Sequence, residues 1–437
     1  MGNKRFAKRW CFVLCFSLIL VLGQDMHAAG FCMDSAAAEA EGSPAVADTL
    51  LRDSADSVKA AGGVKEPWSD VLFNVEVKPF VPKKKKNGKK GGGFLSHTFG
   101  GHVDRTFEKA FDYSIVLVPS FSREGSVGIG GMGAALFRLD RKDSLMPPSD
   151  ISLSGNASIK GFFYAGILGN MYFPGRKSRL NYEFSFSQRV LNFWGINYDS
   201  CLVRPAVFYT RWNVKAAAYY DYQILKGFYL GAAVDFSYNS AVRIDDVSYL
   251  DGQKRAYTLT GLGLSLQYDT RDFIKTPTRG MNFMLRQMIY PEFMGNAGRT
   301  LWRTTFTANY YQRLWDGAVL AFDLYAEINS KNAPWALREE AGGQYRLRGY
   351  YRGRYIDNNI ASFQVELRQK LFWRIGLAAF GGLGSVFPSF KEWRADQLLF
   401  TAGLGLRVEF KHNVNLRVDY GFGRGTSGFV LSLGESF

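Results

Sequence analysis

The chain has few of the residues that usually carry catalysis or metal binding. Its 437 residues include four histidines, at positions 27, 97, 102 and 412. His412 lies beside Asn413 at a predicted turn, without a serine on its strand to form a hydrolase pair. His97 and His102 lack a neighbouring cysteine or carboxylate cluster that would complete a metal site. Gly91–Gly93 follow lysines and do not join a strand to a helix, as a phosphate-binding loop would. We therefore predict no enzyme, no metal and no cofactor.

Long apolar runs are also scarce, and the single one stands in the first thirty residues. Basic residues at positions 4, 5, 8 and 9 precede the apolar run Cys11–Gly23, and small residues follow at 28–30. This order is typical of a secretory signal peptide, here residues 1–29, and the run is short of the roughly 20 residues of a membrane helix. Cys32 follows the bulky Phe31, which disfavours lipidation. A compartment that permits disulfides does not oblige the distant Cys32 and Cys201 to pair, and we expect neither to have a functional role.

After the leader, no run would cross a membrane as a helix, although 47% of residues are hydrophobic and 16% aromatic. A spanning chain without such helices must close its backbone hydrogen bonds in a barrel. Apolar and polar residues alternate in four segments, as barrel strands require: 180–187, 321–328, 402–410 and 414–421. A soluble β-sandwich also alternates, but with shorter strands and fewer aromatic residues. Residues 111–437, at roughly 20 residues per strand with its loop, predict an all-β transmembrane antiparallel barrel of about 16 strands.

The segment 30–110 has a different composition. It begins as a polar Ala-, Ser- and Asp-rich stretch to about Lys65, which predicts a disordered periplasmic tail. A short strand is predicted at Val71–Phe80, followed by lysines at 83–86, 89 and 90 and then Gly91–Gly93. This stretch reads as a linker, and the alternative is contact with anionic lipid headgroups or an acidic partner. Nucleic acid is not expected as a partner of an exported barrel, despite the formal net charge of +15.

Two motifs resemble the bacterial surface-antigen barrel, the BamA and TamA superfamily. They are YDTRDFIKTPTRG at 268–280 and GGQYRLRGYYRGRYID at 342–357. The strands FQVELRQKL from Phe363, TAGLGLRVEF from Thr401 and NLRVDYGFG from Asn415 agree with them. The resemblance implies a 16-stranded barrel whose sixth extracellular loop folds into the lumen and carries an Arg-Gly-aromatic tip.

The loop tip that the resemblance implies consists of Leu347, Arg348, Gly349 and Tyr350. Its buried guanidinium needs inward-facing carboxylates, and Glu366 is the first candidate partner. The family usually has a second acid in a Phe-x-Asp pattern, but this chain has glycine there, at Gly382. Glu366 then acts alone, or Asp419 or Glu409 substitutes; the sequence does not decide between these.

Two further groups are predicted to have structural or sorting roles. Asp269, Arg271 and Asp272 are expected to form an ion network at a strand end. Period-two apolar residues at the end of the sequence resemble the sorting signal by which outer-membrane barrels are recognised, with Glu435 as an interruption. They are Phe429, Leu431, Leu433 and Phe437.

The segment 30–110 also lacks the amphipathic helices of the periplasmic POTRA domains that assembly and secretion relatives carry. The chain is therefore expected to belong to a barrel-only branch in the outer membrane of a Gram-negative bacterium, with outer-membrane lipid, client barrels or complex subunits as partners. The leading hypothesis is outer-membrane biogenesis through a weak seam between the first and last strands. Glycines at 421, 423, 425 and 428 would soften that pairing, or would serve a turn and crowded lumen positions. A plugged or gated pore and a structural subunit are the alternatives.

Overall fold

The computed structural model describes residues 110–122, 126–143, 146–274, 276–372, 374–411, 414–433, 435 and 437. The predicted signal peptide, the strand at Val71–Phe80, the basic linker and the histidines at 97 and 102 lie outside these residues.

Sixteen strands form one sheet in which each strand pairs antiparallel with its neighbour along the chain. They are β1 (Asp112–Ser122), β2 (Ser126–Phe137), β3 (Ser149–Ser158), β4 (Phe163–Tyr172), β5 (Ser178–Phe193), β6 (Val207–Leu225), β7 (Phe228–Ile244), β8 (Ala256–Asp269), β9 (Gly280–Tyr290), β10 (Leu301–Arg313), β11 (Ala318–Asn329), β14 (Asn359–Phe372), β15 (Ile375–Phe387), β16 (Leu399–Lys411), β17 (Val414–Gly423) and β18 (Thr426–Leu433). A separate two-stranded ribbon, β12 (Glu339–Glu340) with β13 (Ile356–Asp357), lies between β11 and β14 in the chain. The predicted count of about 16 strands and the all-β barrel class are confirmed.

The side chains of these strands alternate between two environments, as the sequence pattern predicts. Phe184 and Leu404 expose 56% and 68% of their surface, whereas Asp323 and Glu366 are fully buried. Apolar residues thus cover the outer wall, and polar or charged residues face the lumen. In a soluble sheet the apolar face would be the buried one, so this inversion is the arrangement expected in lipid.

One rim of the sheet carries the longer connections, and the other carries mostly short turns. The long-loop rim includes residues 194–206, 245–255, 291–300, 330–358 and 388–398, whereas β6 and β7 are joined by two residues at the short-turn rim. A six-residue helix, α1 (Tyr198–Val203), begins at Asn197, whose side chain accepts a hydrogen bond from the Ser200 amide at 2.8 Å. In the part of the chain that the structure describes, no helix is long and apolar enough to cross a bilayer.

A hydrophobic core lies beneath the long loops. It is built from buried residues of β5–β10, of the loop 245–255 and of the loop 330–358, among them Leu250, Leu301, Trp335 and Leu337. Trp335 also donates its indole N–H to the Lys254 carbonyl at 2.9 Å. This core holds the loop 330–358 against the inside of the sheet.

The sheet is not closed by hydrogen bonds. Cα atoms of β1 and β18 come within 8 Å of each other, yet among the described residues no ladder joins the two strands. β1 has 11 residues and β18 has 8. We call this junction, which no ladder joins among the described residues, the seam.

Candidate functional site

The loop 330–358, here called the lumen loop, enters the interior of the sheet and carries the Arg-Gly-Tyr tip. Wall side chains hold its descending part. Arg346 makes two hydrogen bonds to Asp323 of β11 at 2.8 and 3.1 Å. Gln364 of β14 donates to the Tyr345 carbonyl at 3.0 Å, and Arg417 of β17 donates to the Gln344 carbonyl at 2.8 Å. Polar groups on three strands therefore position the tip.

Arg348 is fully buried at the centre of the site. Its Nη1 lies 2.7 Å from Glu366 Oε2 and 2.6 Å from Asp419 Oδ2. Its guanidinium carbon stands 3.4 Å from the centre of the Phe380 ring, a cation–π contact. The Thr401 hydroxyl donates to the Arg348 carbonyl. Two carboxylates and one aromatic face thus surround a charge that would be costly to bury alone.

Asp419 provides the acid that the sequence lacks at position 382. A Cβ on Gly382 would lie 2.8 Å from the Gln364 Cβ and from the Phe363 carbonyl oxygen, so a side chain there would displace β14. Asp419 reaches Arg348 from β17 instead. Of the alternatives left open by the sequence, the structure brings Glu366 and Asp419 to Arg348 together. Glu409 does not join them; it lies 2.9 Å from Lys370 Nζ near the short-turn rim.

The two acids belong to a larger network of buried charges. Arg407 of β16 contacts Asp419 at 2.5 Å and Glu366 at 3.2 Å. Arg368 of β14 contacts Glu366 at 2.7 Å. Four arginines and three carboxylates share this region; the remaining members are Arg417, paired with Asp419, and Glu435, paired with Arg407 and Arg368.

The loop tip also lies directly on the last two strands. Gly349 has a φ of 105°, a conformation that glycine adopts readily. A Cβ on Gly421 would lie 2.6 Å from the Arg348 carbonyl carbon, and one on Gly428 would lie 3.5 Å from Gly349 Cα. The Tyr350 hydroxyl accepts from the Arg424 amide and donates to the Phe400 carbonyl, each at 2.9 Å. These glycines leave room for the tip.

The remaining glycines of this region have similar local causes. A Cβ on Gly423 would lie 2.6 Å from the Tyr350 ring, and Gly425 occupies a turn with a φ of 64°. Crowding by the loop and turn geometry therefore account for the glycines near the seam.

A second acidic group lies where the lumen loop joins the wall. Glu340 of β12 contacts Arg211 at 2.6 Å and Arg352 at 2.9 Å. Burial would raise its pKa, but the guanidinium of Arg352, followed by that of Arg211, lowers it to about 2. Burial, followed by repulsion from Glu327, raises the pKa of the adjacent Glu339 to about 7. Both line a polar cavity of about 180 Å³ between the loop and the wall.

The strand-end residues form two separate interactions. Arg271 makes a bidentate pair with Asp269 at 2.9 and 2.8 Å. Asp272 does not join that pair; its Oδ1 accepts from the Phe273 and Thr278 amides, each at 2.9 Å, and so organises the turn into β9. The predicted three-membered ion network is thus one ion pair beside a turn cap.

The residues of the predicted sorting signal are split between the two faces. Phe429 and Leu431 lie on β18, and Phe429 is exposed on the outer wall. Leu433 pairs its backbone with Leu416 at the end of β18. Phe437 instead packs inside the lumen against Tyr311, so the period-two series does not continue past β18. A role in sorting stays a prediction.

Sequence reasoning missed several members of the site. Arg407 occupies an inward position of the run 402–410, and the alternation of that run was the available signal for it. Arg368 lies in the strand that begins FQVELRQKL, which was matched only as a motif. Phe380 and Thr401 also face the tip, but nothing in the local sequence marks them as its neighbours. Their proximity depends on the register of β14, β15 and β16.

Residues 169–437 match the Omp85 superfamily domain. This match covers well over half of the chain, and the chain belongs to the Omp85 superfamily. Comparison with curated protein sequences gives no significant match.

Solved structures give the same fold at low sequence identity. BamA from Haemophilus ducreyi lacking POTRA domains 1–3 aligns at 12% identity with a TM-score of 0.50, covering 74% of this chain and 70% of that one. CdiB from Escherichia coli aligns at 14% identity with a TM-score of 0.51, covering 75% and 62%. CdiB from Acinetobacter baumannii aligns at 13% identity with a TM-score of 0.50, covering 75% and 60%. The chain thus spans less than two thirds of the length of either CdiB.

Proposed function

We propose that this chain is a non-enzymatic barrel of the Gram-negative outer membrane that inserts proteins or moves lipid through the seam between β1 and β18. The observation that carries the proposal is the absence of a hydrogen-bond ladder between these neighbouring strands, among the described residues. The general role of Omp85 barrels in outer-membrane protein insertion or secretion supports it.

The physical argument rests on the cost of unpaired backbone groups. In hydrocarbon, each unpaired N–H or C=O costs on the order of several kcal/mol, because lipid tails offer no hydrogen bonds. A strand of an incoming protein could pair with the edge of β1 or β18 and remove this cost. β1 is also longer than β18, so part of its edge would stay unpaired even after the two strands met.

The orientation follows from the lengths of the connections. Outer-membrane barrels have long extracellular loops and short periplasmic turns. We therefore place the long-loop rim outside the cell and the short-turn rim in the periplasm, together with the residues that precede β1. The partners of such a barrel are outer-membrane lipid, client barrels and subunits of an assembly complex.

The decisive test is reconstitution of the purified barrel in liposomes. The proposal expects faster insertion of an unfolded outer-membrane barrel than in protein-free vesicles or vesicles containing an unrelated barrel. Cysteines scanned along β1 and β18 would locate a pair whose disulfide locks the seam and abolishes the gain. The matched control is a disulfide between cysteines at positions 418 and 431. Val418 of β17 and Leu431 of β18 are direct partners in the ladder between these two strands. Equal insertion in all vesicles, or full activity of the locked seam, would refute the proposal.

A plugged or gated pore is the second candidate, and the cavity of about 180 Å³ beside the lumen loop favours it. Steady ion conductance without accelerated insertion would support this reading. The absence of both accelerated insertion and ion conductance would favour a structural subunit that requires its partners.

A further inference from the structure

Two described residues that follow β18, Glu435 and Phe437, lie inside the lumen. Glu435 and Phe437 contact side chains of β10, β11, β14 and β16, which are not neighbours of β18 in the sheet. Only 4% of the Glu435 side chain is exposed. These contacts lie toward the short-turn rim, near the ends of those strands.

The first part of this contact surrounds the carboxylate of Glu435. Glu435 Oε2 lies 2.9 Å from Arg407 Nε and 3.5 Å from Arg368 Nε. Its Oε1 accepts a hydrogen bond from Asn415 Nδ2 at 2.5 Å. Two buried arginines from β16 and β14 and one amide from β17 therefore surround one carboxylate, which is the chemistry of a specific anion site.

The other half binds an aromatic ring. Phe437 packs against Tyr311, Val319 and Ala321. The guanidinium carbon of Arg368 lies 5.2 Å from the Phe437 ring centre and 5.9 Å from that of Tyr311, so the cation contacts both rings. Arg368 Nη2 also donates to the main-chain oxygen of Phe437 at 3.0 Å.

Arg368 connects the two halves and retains a spare donor. It is 8% exposed, and its Nη1 has no hydrogen-bond partner among the described residues. A buried guanidinium N–H without a partner is costly, so this atom is available to a further acceptor on a bound segment.

We propose that Arg368, Arg407, Tyr311, Val319 and Ala321 form a binding site for a peptide segment that presents a carboxylate and, two residues later, an aromatic ring, and that the chain's own Glu435 and Phe437 fill it. The occupant is a segment of this chain, and an equivalent segment of another chain competes for the same place. A tethered segment has an effective concentration in the mM range, so the free site is expected only when the segment is altered or removed.

Filling this site also affects the lumen loop through a shared carboxylate. Glu366 contacts Arg348 of the loop tip at 2.7 Å, and Arg368 and Arg407 at 2.7 and 3.2 Å. When the carboxylate of a bound segment neutralises Arg368 and Arg407, these arginines compete less for Glu366, and the ion pair between Glu366 and Arg348 becomes stronger. Occupancy of the site should therefore strengthen loop docking, and by linkage a docked loop should favour occupancy.

The test uses a synthetic peptide, Gly-Glu-Ser-Phe, in which a benzophenone amino acid replaces the phenylalanine. The barrel without residues 434–437, refolded in detergent micelles, is expected to give a photo-cross-link that mass spectrometry maps to β10 or β11. The intact chain should cross-link at least tenfold less, because its own segment fills the site. Unlabelled Gly-Glu-Ser-Phe should compete at least tenfold better than Gly-Gln-Ser-Phe or Gly-Glu-Ser-Ala.

Two controls distinguish binding at this site from nonspecific binding of the peptide to the barrel. Arg368→Gln should reduce cross-linking in the shortened barrel, whereas Arg394→Gln, a half-exposed arginine at the long-loop rim, should not. If the shortened barrel does not fold, the full-length chain with Glu435→Gln and Phe437→Ala replaces it. Cross-links scattered over the barrel, or equal competition by all three peptides, would overturn the proposal. The test needs no insertion activity, so it stands apart from the proposed function.

Discussion

Removal of Glu366 should destabilise the site more than removal of Arg348, although the two residues form one ion pair. Arg348→Ala leaves both acids with other partners, since Glu366 keeps Arg368 and Arg407, and Asp419 keeps Arg407 and Arg417. Glu366→Gln instead leaves four buried arginines facing only Asp419 and Glu435. The asymmetry follows from the excess of arginines in the network.

The magnitudes can be derived from the contacts. The Arg348→Ala variant loses two charge-assisted hydrogen bonds and a cation–π contact, but it no longer pays the desolvation of the guanidinium. The loss in free energy of unfolding is therefore about 1–3 kcal/mol. Removal of one partner from a buried network that cannot compensate costs about 3–5 kcal/mol, which is the range expected for Glu366→Gln.

The measurement is protease protection of the lumen loop in the folded barrel, together with the midpoint of heat-modifiable migration on gels. Arg394→Ala is the control, because its partner Asp199 is 74% exposed and such pairs contribute little. If Arg348→Ala reduced protection more than Glu366→Gln, or if neither differed from Arg394→Ala, the charge argument would be wrong.

Three further outcomes are expected. Because the pKa of Glu339 is raised from 4.5 to about 7, the folded loop binds a proton that the unfolded chain releases; loop protection should fall as pH rises from about 5 to about 8, and Glu339→Gln should flatten this profile. Gly421→Ala should expel the loop tip and increase proteolysis, while Gly133→Ala, whose Cβ meets only a side-chain atom at 3.9 Å, should not. Cys201 is fully buried, and burial raises its pKa to about 11, so a maleimide should label it only after unfolding; prompt labelling of the folded barrel at neutral pH would contradict this packing.

The strands were predictable from the sequence because the membrane imposes a strict alternation on them. The runs 180–187 and 402–410 each alternate apolar residues with polar residues or glycines, and over 180–187 and 402–408 the structure places the apolar ones outward. The loop tip was predictable only through the family resemblance, which implies a buried guanidinium at the Arg-Gly-Tyr sequence. Among its partners, Glu366 was the first choice and Asp419 one of two alternatives.

The wider network was not predictable, because it depends on register between strands that are distant in sequence. Glu366 and Arg407 lie on strands separated by β15, and Arg348 and Asp419 are 71 residues apart in the chain. Glu435 looked like an interruption of an apolar series, but it is an inward ligand of Arg407 and Arg368. Its charge pairs with these arginines of the lumen, and Phe437 also lies inward.

The contact between the loop tip and Gly421 also bears on the order of assembly. The backbone of Arg348 and Gly349 lies against Gly421 and Gly428, with no room for a side chain at Gly421. The hairpin of β17 and β18 therefore forms part of the surface on which the loop rests, and the loop forms part of the surface on which the hairpin rests. Neither has its full set of contacts alone, so we expect the tip and the final hairpin to become ordered together, as the last cooperative step of folding. A docked loop tip therefore indicates that the final strands have formed and are in register.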